Sequence, residues 1–166
     1  AAADLFDATQ AMTRAAGLPL YEVSNHARPG EESRHNLTYW RYGDYAGVGP
    51  GAHGRRLAQA TERHKKPENF IAAVERNGHG LKVETDLPPH ERATEALLMG
   101  LRLTEGIDLA RIEARSGLGR AAFVDADAVA RLVGQGLMQQ TGDRLGVTDD
   151  GILLLDSILS EVVRTG

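Results

Sequence analysis

Leu137-Met138-Gln139-Gln140-Thr141-Gly142-Asp143-Arg144-Leu145-Gly146-Val147 is the stretch that decides the fold of the C-terminal half. Two short strand-like runs, 137–140 and 144–147, flank Thr141-Gly142-Asp143, and that is the chemistry of a tight hairpin. After it, Thr148 is placed to cap a last helix whose Ile152, Leu155, Leu159 and Val162 lie on one side. Before it, Asp108 is placed to cap a helix over 109–115 that Gly117 ends. A further helix over 120–133 carries Val124, Ala128, Leu132 and Val133 and stops at Gly134 and Gly136. Helix, helix, hairpin, helix is the order of a winged helix. Winged helices often bind DNA, but the helix in the recognition position carries Asp125 and Asp127, and the hairpin offers only Arg144. Those carboxylates would face phosphate in a groove, so no nucleic acid is expected as a partner.

Further out, Pro88-Pro89 opens a helix whose Ala93, Leu97, Leu98 and Leu101 form a stripe ending at Gly106, and Pro67 opens another with Phe70, Ile71, Val74 and a stop at Gly78. These leucine-rich faces suit core or interdomain packing. At the N-terminus the texture differs. Leu5, Ala8, Met12 and Ala15 fall on one helical face before Gly17, and Leu20-Tyr21-Glu22-Val23 is strand-like. Tyr45-Ala46-Gly47-Val48 has the makings of a second strand, running into the glycine-rich Gly49-Pro50-Gly51-Ala52-His53-Gly54. Between them, 25–44 is a connection of about 20 residues, long enough to suggest a use, unless a short helix lies within 35–42. The expected fold is α/β over residues 1–62, followed by a mostly α, winged-helix-like domain over 63–166.

Composition narrows the function classes. Hydrophobic residues make up 42% of the 166 and charged residues 25%, enough for one or two globular cores. A net charge of −4 gives no overall pull on polyanions, and the short run Arg63-His64-Lys65-Lys66 suits a solvated helix start. The absence of cysteine removes disulfides, thiolate ligands and sulfur nucleophiles, and is compatible with a cytoplasmic setting. No apolar run approaches the roughly 18 residues of a membrane span, and no signal-peptide pattern opens the chain. It begins helix-like at Ala1, as though continuing from something longer.

His35-Asn36-Leu37-Thr38-Tyr39-Trp40 is the densest chemical stretch: an imidazole, an amide and the sole tryptophan within six residues. A neutral imidazole nitrogen can ligate haem iron while its other nitrogen fixes the ring, and aromatic neighbours can cover a macrocycle. The same residues also suit an ordinary packed or solvated histidine, and the pattern alone does not choose.

Three segments together do choose: 21–31 (Tyr21-Glu22-Val23-Ser24-Asn25-His26-Ala27-Arg28-Pro29-Gly30-Glu31), 34–41 (Arg34-His35-Asn36-Leu37-Thr38-Tyr39-Trp40-Arg41) and 44–53. They resemble the HemW family of radical SAM haem chaperones, relatives of the oxygen-independent coproporphyrinogen III oxidases. The resemblance runs on through 95–106 to Val147-Thr148-Asp149-Asp150-Gly151 and covers nearly the whole chain. It implies the end of a partial (β/α) barrel followed by the family's C-terminal domain. It also implies haem or porphyrin as ligand, delivery to haem-accepting proteins, and His35 as the iron ligand with Asn36, Tyr39 and Trp40 around it. Glu22, Ser24, Asn25, Gly49, Gly51, Ala52 and His53 would face the S-adenosylmethionine and substrate cavity, or else merely close the barrel. Arg28, Arg34 and Arg41 would be available to carboxylates in either a chaperone or an oxidase. His26, His64, His79 and His90 receive no ligand role.

The family's CxxxCxxC motif, which holds a [4Fe–4S] cluster beside S-adenosylmethionine, is not in these residues, so the chain alone generates no radical. Two outcomes stay open for an intact relative: haem chaperone, or coproporphyrinogen III oxidase (dehydrogenase). An incomplete sheet would also leave open edges, and a homodimer is one way to cover them.

Overall fold

Local capping chemistry sets most of the helix boundaries in the computed structural model, which describes residues 2–164. Ala1, Thr165 and Gly166, included in the expected domain spans, lie outside the described residues. Helix α1 (Ala2–Ala15) leads into a minimal hairpin, β1 (Leu20–Glu22) with β2 (Asn25–His26). The helix face read as apolar is not the packed one. Leu5 and Met12 are 71% and 73% exposed, whereas Phe6, Gln10 and Thr13 are half-buried on the other side.

The connection over 25–44 contains helix α2 (Arg34–Trp40), so the reading of it as irregular is corrected. Ser33 nucleates α2 by accepting the Asn36 amide on its hydroxyl at 3.3 Å. Tyr42 then ends the helix at φ 55°, and the Gly43 amide closes the turn on the Thr38 carbonyl at 2.8 Å. A left-handed tyrosine costs about 1–2 kcal/mol relative to a glycine, so its side chain must repay that cost.

The second strand lies later than expected. Tyr45 makes only an isolated bridge to Arg55, and the regular strand is β3 (His53–Arg56). With β4 (Gln59–Arg63) it forms a hairpin through Leu57 and Ala58, both at positive φ (49° and 65°). That is the backbone of a two-residue primed turn without its usual Asn-Gly signature, so the sequence gives no hint of it. Helix α3 (Pro67–Asn77) crosses over to β5 (Leu81–Asp86), which pairs antiparallel with β4. Strand β4 thus spans residue 62, where the α/β part was expected to end, and is bonded on both sides. Gly47 is pressed onto this sheet; a β-carbon there would stand 2.3 Å from the His53 carbonyl oxygen.

The remaining elements build one core. Helix α4 (Pro89–Gly100) buries Ala93, Ala96 and Leu97 and stops at Gly100, short of Gly106. Strand β6 (Ile107–Asp108) then feeds α5 (Leu109–Ser116), capped as expected by Asp108 accepting the Arg111 amide at 3.1 Å. The next helix is shorter than its apolar pattern suggests. Arg120–Ala122 make a separate tight turn, and α6 (Ala126–Gly134) starts where Asp125 accepts the Ala128 amide at 2.9 Å. Side-chain capping competes with helix continuation here, and it wins. The wing is β7 (Met138–Thr141) and β8 (Arg144–Val147), with β6 on the other edge of β8. Thr148 does not cap the last helix as expected: its hydroxyl accepts the Gly151 amide at 3.2 Å, and Ile152–Leu154 then forms a short turn before α7 (Leu155–Val162), neither of them starting on a side-chain cap. Phe123, Leu97, Leu101, Leu145 and Val162 are completely enclosed between these helices and the wing, with Tyr42 from the N-terminal part among them. Among the described residues no helix is long and apolar enough to cross a membrane.

Candidate functional site

Helix α2 positions the expected haem-facing residues. His35 is exposed in its first turn, and its Nδ1 lies 3.5 Å from Asn36 Oδ1. The Asn36 amide nitrogen in turn donates to the Tyr21 hydroxyl at 3.2 Å, which ties the amide to the β1 hairpin. One turn on, Tyr39 and Trp40 meet edge to face at 5.2 Å between ring centres, and Tyr39 meets Tyr45 at 5.7 Å. The Arg102 guanidinium stands over the Trp40 ring at 5.6 Å. His35, Asn36, Tyr39 and Trp40 therefore share one short helix, with the imidazole open to solvent and both aromatic rings half-buried. Tyr21, Tyr45 and Arg102 complete the surroundings. Tyr21 and Tyr45 stand within the quoted motif segments, whereas Arg102 lies in the resembling stretch 95–106 without being singled out by it.

Below this surface the end of α2 is anchored to the helical core. Tyr42 is buried, and its hydroxyl donates to Glu95 Oε2 at 2.6 Å. The Arg55 guanidinium, 7% exposed, pairs with the same carboxylate at 3.6 Å. Burial, followed by the Glu95 contact, pushes the Tyr42 hydroxyl well above its ordinary pKa, and burial does the same more weakly at Tyr45. The short contact to Glu95 makes Tyr42 a hydrogen-bond donor held in place by its burial.

The residues expected to face S-adenosylmethionine fall into two groups on different sheets. Glu22, Ser24 and Asn25 belong to the β1–β2 hairpin; Gly49, Gly51, Ala52 and His53 lead into β3. Glu22 is 1% exposed, accepts the Asn25 side-chain amide on Oε1, and leaves Oε2 buried with no partner among the described residues. Ser24 and His53 are exposed. Gly49 and Gly51 take positive φ (90° and 73°), and the Gly51 amide donates to the His64 carbonyl at 2.9 Å. Ala52 likewise accepts the Arg63 amide at 3.0 Å, so this second group is occupied with holding the sheet. Of the three arginines expected to be available to carboxylates, Arg28 already pairs with Glu31 at 3.8 Å and Arg41 with Glu105 at 2.7 Å.

Among the described residues no three histidine, aspartate or glutamate side chains gather as a metal site, and the sequence has no cysteine. The chain supplies no thiolate to an iron–sulfur cluster. Haem iron is a different case, since one axial imidazole suffices.

Comparison with known proteins places these features. Residues 87–154 match the model of the HemN C-terminal domain. Over 95% of its length the chain is 36% identical to mouse "Radical S-adenosyl methionine domain-containing protein 1, mitochondrial", covering 38% of that protein. It is 38% identical over 93% of its length to "Heme chaperone HemW" of Mycobacterium tuberculosis, covering 37% of it, and 32% identical to the Escherichia coli protein of that name, covering 41%. The chain thus spans about two fifths of the length of these relatives. In three dimensions it matches Escherichia coli coproporphyrinogen III oxidase (HemN), a radical SAM enzyme, with a TM-score of 0.70 at 20% identity over 95% of this chain and 39% of that one, which establishes the shared fold. Residues 87–154 are accordingly a HemN C-terminal domain, and the chain as a whole is homologous to the C-terminal portion of the HemW haem chaperones and the radical S-adenosyl methionine domain-containing protein 1 relatives.

Proposed function

We propose that this chain provides the haem-receiving surface of a haem-binding and haem-delivering protein, with His35 as axial ligand. The observation that carries this reading is the setting of the His35 ring. It is exposed on α2, with Nδ1 turned towards Asn36 Oδ1 and the amide behind it anchored on Tyr21. Donation from Nδ1 to Asn36 would leave the Nε2 lone pair to iron, and an orienting partner of this kind raises ligand basicity. Tyr39 and Trp40 would cover part of one porphyrin edge. The names carried by the bacterial relatives support haem as cargo.

Glu22 would contribute on the cofactor side. Its unpartnered Oε2, deep beside Asn25, suits a donor such as an ammonium or a ribose hydroxyl, and S-adenosylmethionine carries both. When bound beside a cluster, that cofactor supplies radical chemistry; the chain's own part is to hold an acceptor in a fixed place. An exposed α2 and the helical domain would remain for handing haem to an acceptor protein.

The test is a spectrophotometric haem titration of the chain. A saturable Soret band that His35→Ala removes, and that Asn36→Ala weakens, is expected. An unchanged Soret position and affinity in His35→Ala sinks the ligand assignment. Anaerobic turnover of coproporphyrinogen III by the chain joined to a cluster-bearing domain would favour the oxidase reading instead.

A further inference from the structure

Six arginines spread from position 41 to position 144 converge on one cavity of about 120 Å³. Arg41 follows α2, Arg55 lies on β3, Arg92 on α4, Arg111 and Arg115 on α5, and Arg144 on β8. The same lining contains three carboxylates, Asp44, Glu105 and Asp108. A chain with a formal charge of −4 therefore gathers an excess of positive charge inside a concave wall. Such a wall focuses the field on an incoming anion.

Arg55 is paired with Glu95, but internal pairing does not consume the rest of this excess. Glu105 is taken by Arg41 in a two-pronged contact at 2.7 and 2.8 Å, and Asp108 is occupied with capping α5. Arg115 and Arg144 donate to the backbone carbonyls of Tyr42 and Glu105, at 3.0 and 2.8 Å, which satisfies hydrogen bonds without cancelling charge. The Arg92 and Arg111 guanidiniums make neither a hydrogen bond nor an ion pair among the described residues, and Arg92 Nε is buried without an acceptor. A buried guanidinium nitrogen left unpaired is costly, and a bound oxyanion would remove that cost.

The rest of the wall is mostly apolar, with Ala96, Leu103, Ile107 and Ile112, and the hydroxyls of Tyr42 and Ser116 are already spent on Glu95 and on the Ile112 carbonyl. We propose that this cavity binds a carboxylate carried on a short aliphatic chain. Arg92 and Arg111 receive the carboxylate, and the alkyl part lies on Ala96, Leu103 and Ile112. A space of about 120 Å³ accommodates a short chain of heavy atoms and is too small for a macrocycle. The occupant is either a free short dicarboxylic acid or the carboxylate arm of a larger molecule whose body stays outside. The site stands independently of His35.

The proposal is tested by calorimetric titration of the whole chain with succinate at low salt. Saturable one-to-one binding is expected, weakened at least tenfold by Arg92→Met and by Arg111→Gln and unchanged by Arg76→Gln on the exposed face of α3. Arg111 is exposed, and its side chain makes no hydrogen bond among the described residues and acts only at a distance on Glu105, so its replacement leaves the circular dichroism spectrum intact and isolates the binding effect. Displacement of succinate by haem would identify the occupant as a tetrapyrrole's carboxylate arm, and binding of both together would identify a free acid; either supports the site. Absence of succinate binding at millimolar concentration, equal affinity in both arginine variants, or inorganic phosphate binding as tightly as succinate would overturn it.

Discussion

The guanidinium carbon of Arg55 stands 3.5 Å above the centre of the Tyr42 ring, and both side chains reach the same carboxylate, Glu95. A strand residue, a helix-ending residue and a helix residue from three parts of the sequence thus share one largely buried stack, joined by a hydrogen bond and an ion pair. The stack offsets the strained backbone at Tyr42.

Tyr42→Phe keeps the ring under Arg55 but deletes the donor to Glu95. A loss of about 1–3 kcal/mol is expected from the acceptor left half-satisfied. Urea unfolding followed by circular dichroism measures it.

Gly106 takes φ 66° with the wing packed on it, and a β-carbon there would stand 2.3 Å from the Leu145 carbonyl oxygen. Gly117 takes φ 74° with open space around it. Gly106→Ala should therefore cost at least about 2 kcal/mol more than Gly117→Ala, which pays only for the backbone angle. Equal melting temperatures for the two variants would contradict this packing.

The Arg41 hydrogen bond holds the Glu105 carboxyl below the usual glutamate range, against a smaller opposing effect of burial. A carboxyl with a depressed folded-state pKa stabilises the fold above its unfolded pKa, and that contribution disappears as pH falls through the folded one. Glu105→Gln should flatten the decline in stability below the ordinary glutamate pKa and leave the slope near pH 7 unchanged. Both groups are more than two-fifths exposed, so the change is small. Thermal melts across the acid range read it.

Trp40 is the sole tryptophan, and it sits one turn and a half along α2 from His35. Haem held at His35 should quench its fluorescence through energy transfer. His35→Ala should abolish the saturable part of the quenching, while a zinc-free, iron-free porphyrin should quench more weakly for want of the iron–imidazole bond.

Asp125→Ala removes the α6 cap and one partner of Arg164 and should cost about 0.5–2 kcal/mol. Asp125→Asn keeps an acceptor oxygen and should recover most of that loss, as equilibrium unfolding would show.

What the sequence made readable was local. The wing hairpin around Gly142 and the Asp108 cap need only neighbours within a few residues, and both stand where the pattern puts them. The β3–β4–β5 sheet was hidden because Leu57-Ala58 adopts a turn usually written with glycine, and because β5 is exposed along most of its length. The α1 face misled for a different reason. Hydrophobic spacing marks a face that can be covered, whereas this structure covers Phe6 and Gln10 and leaves Leu5 and Met12 open. At the candidate site, resemblance singled out His35 and its neighbours on α2. The arginine cavity was illegible, because its members come together only through tertiary packing.

The seam between the β1 hairpin and the turn after α4 has a mechanical consequence. Val23 donates to the Arg102 carbonyl, the Thr104 amide donates to the Tyr21 carbonyl, and Glu22 and Leu103 face each other as an antiparallel bridge. A zipper of main-chain bonds resists sliding far better than side-chain contacts do, so any hinge between the β1–β2 hairpin and the helical part must lie elsewhere. Force applied to one half would be felt at the Glu22 carboxylate before either half came loose.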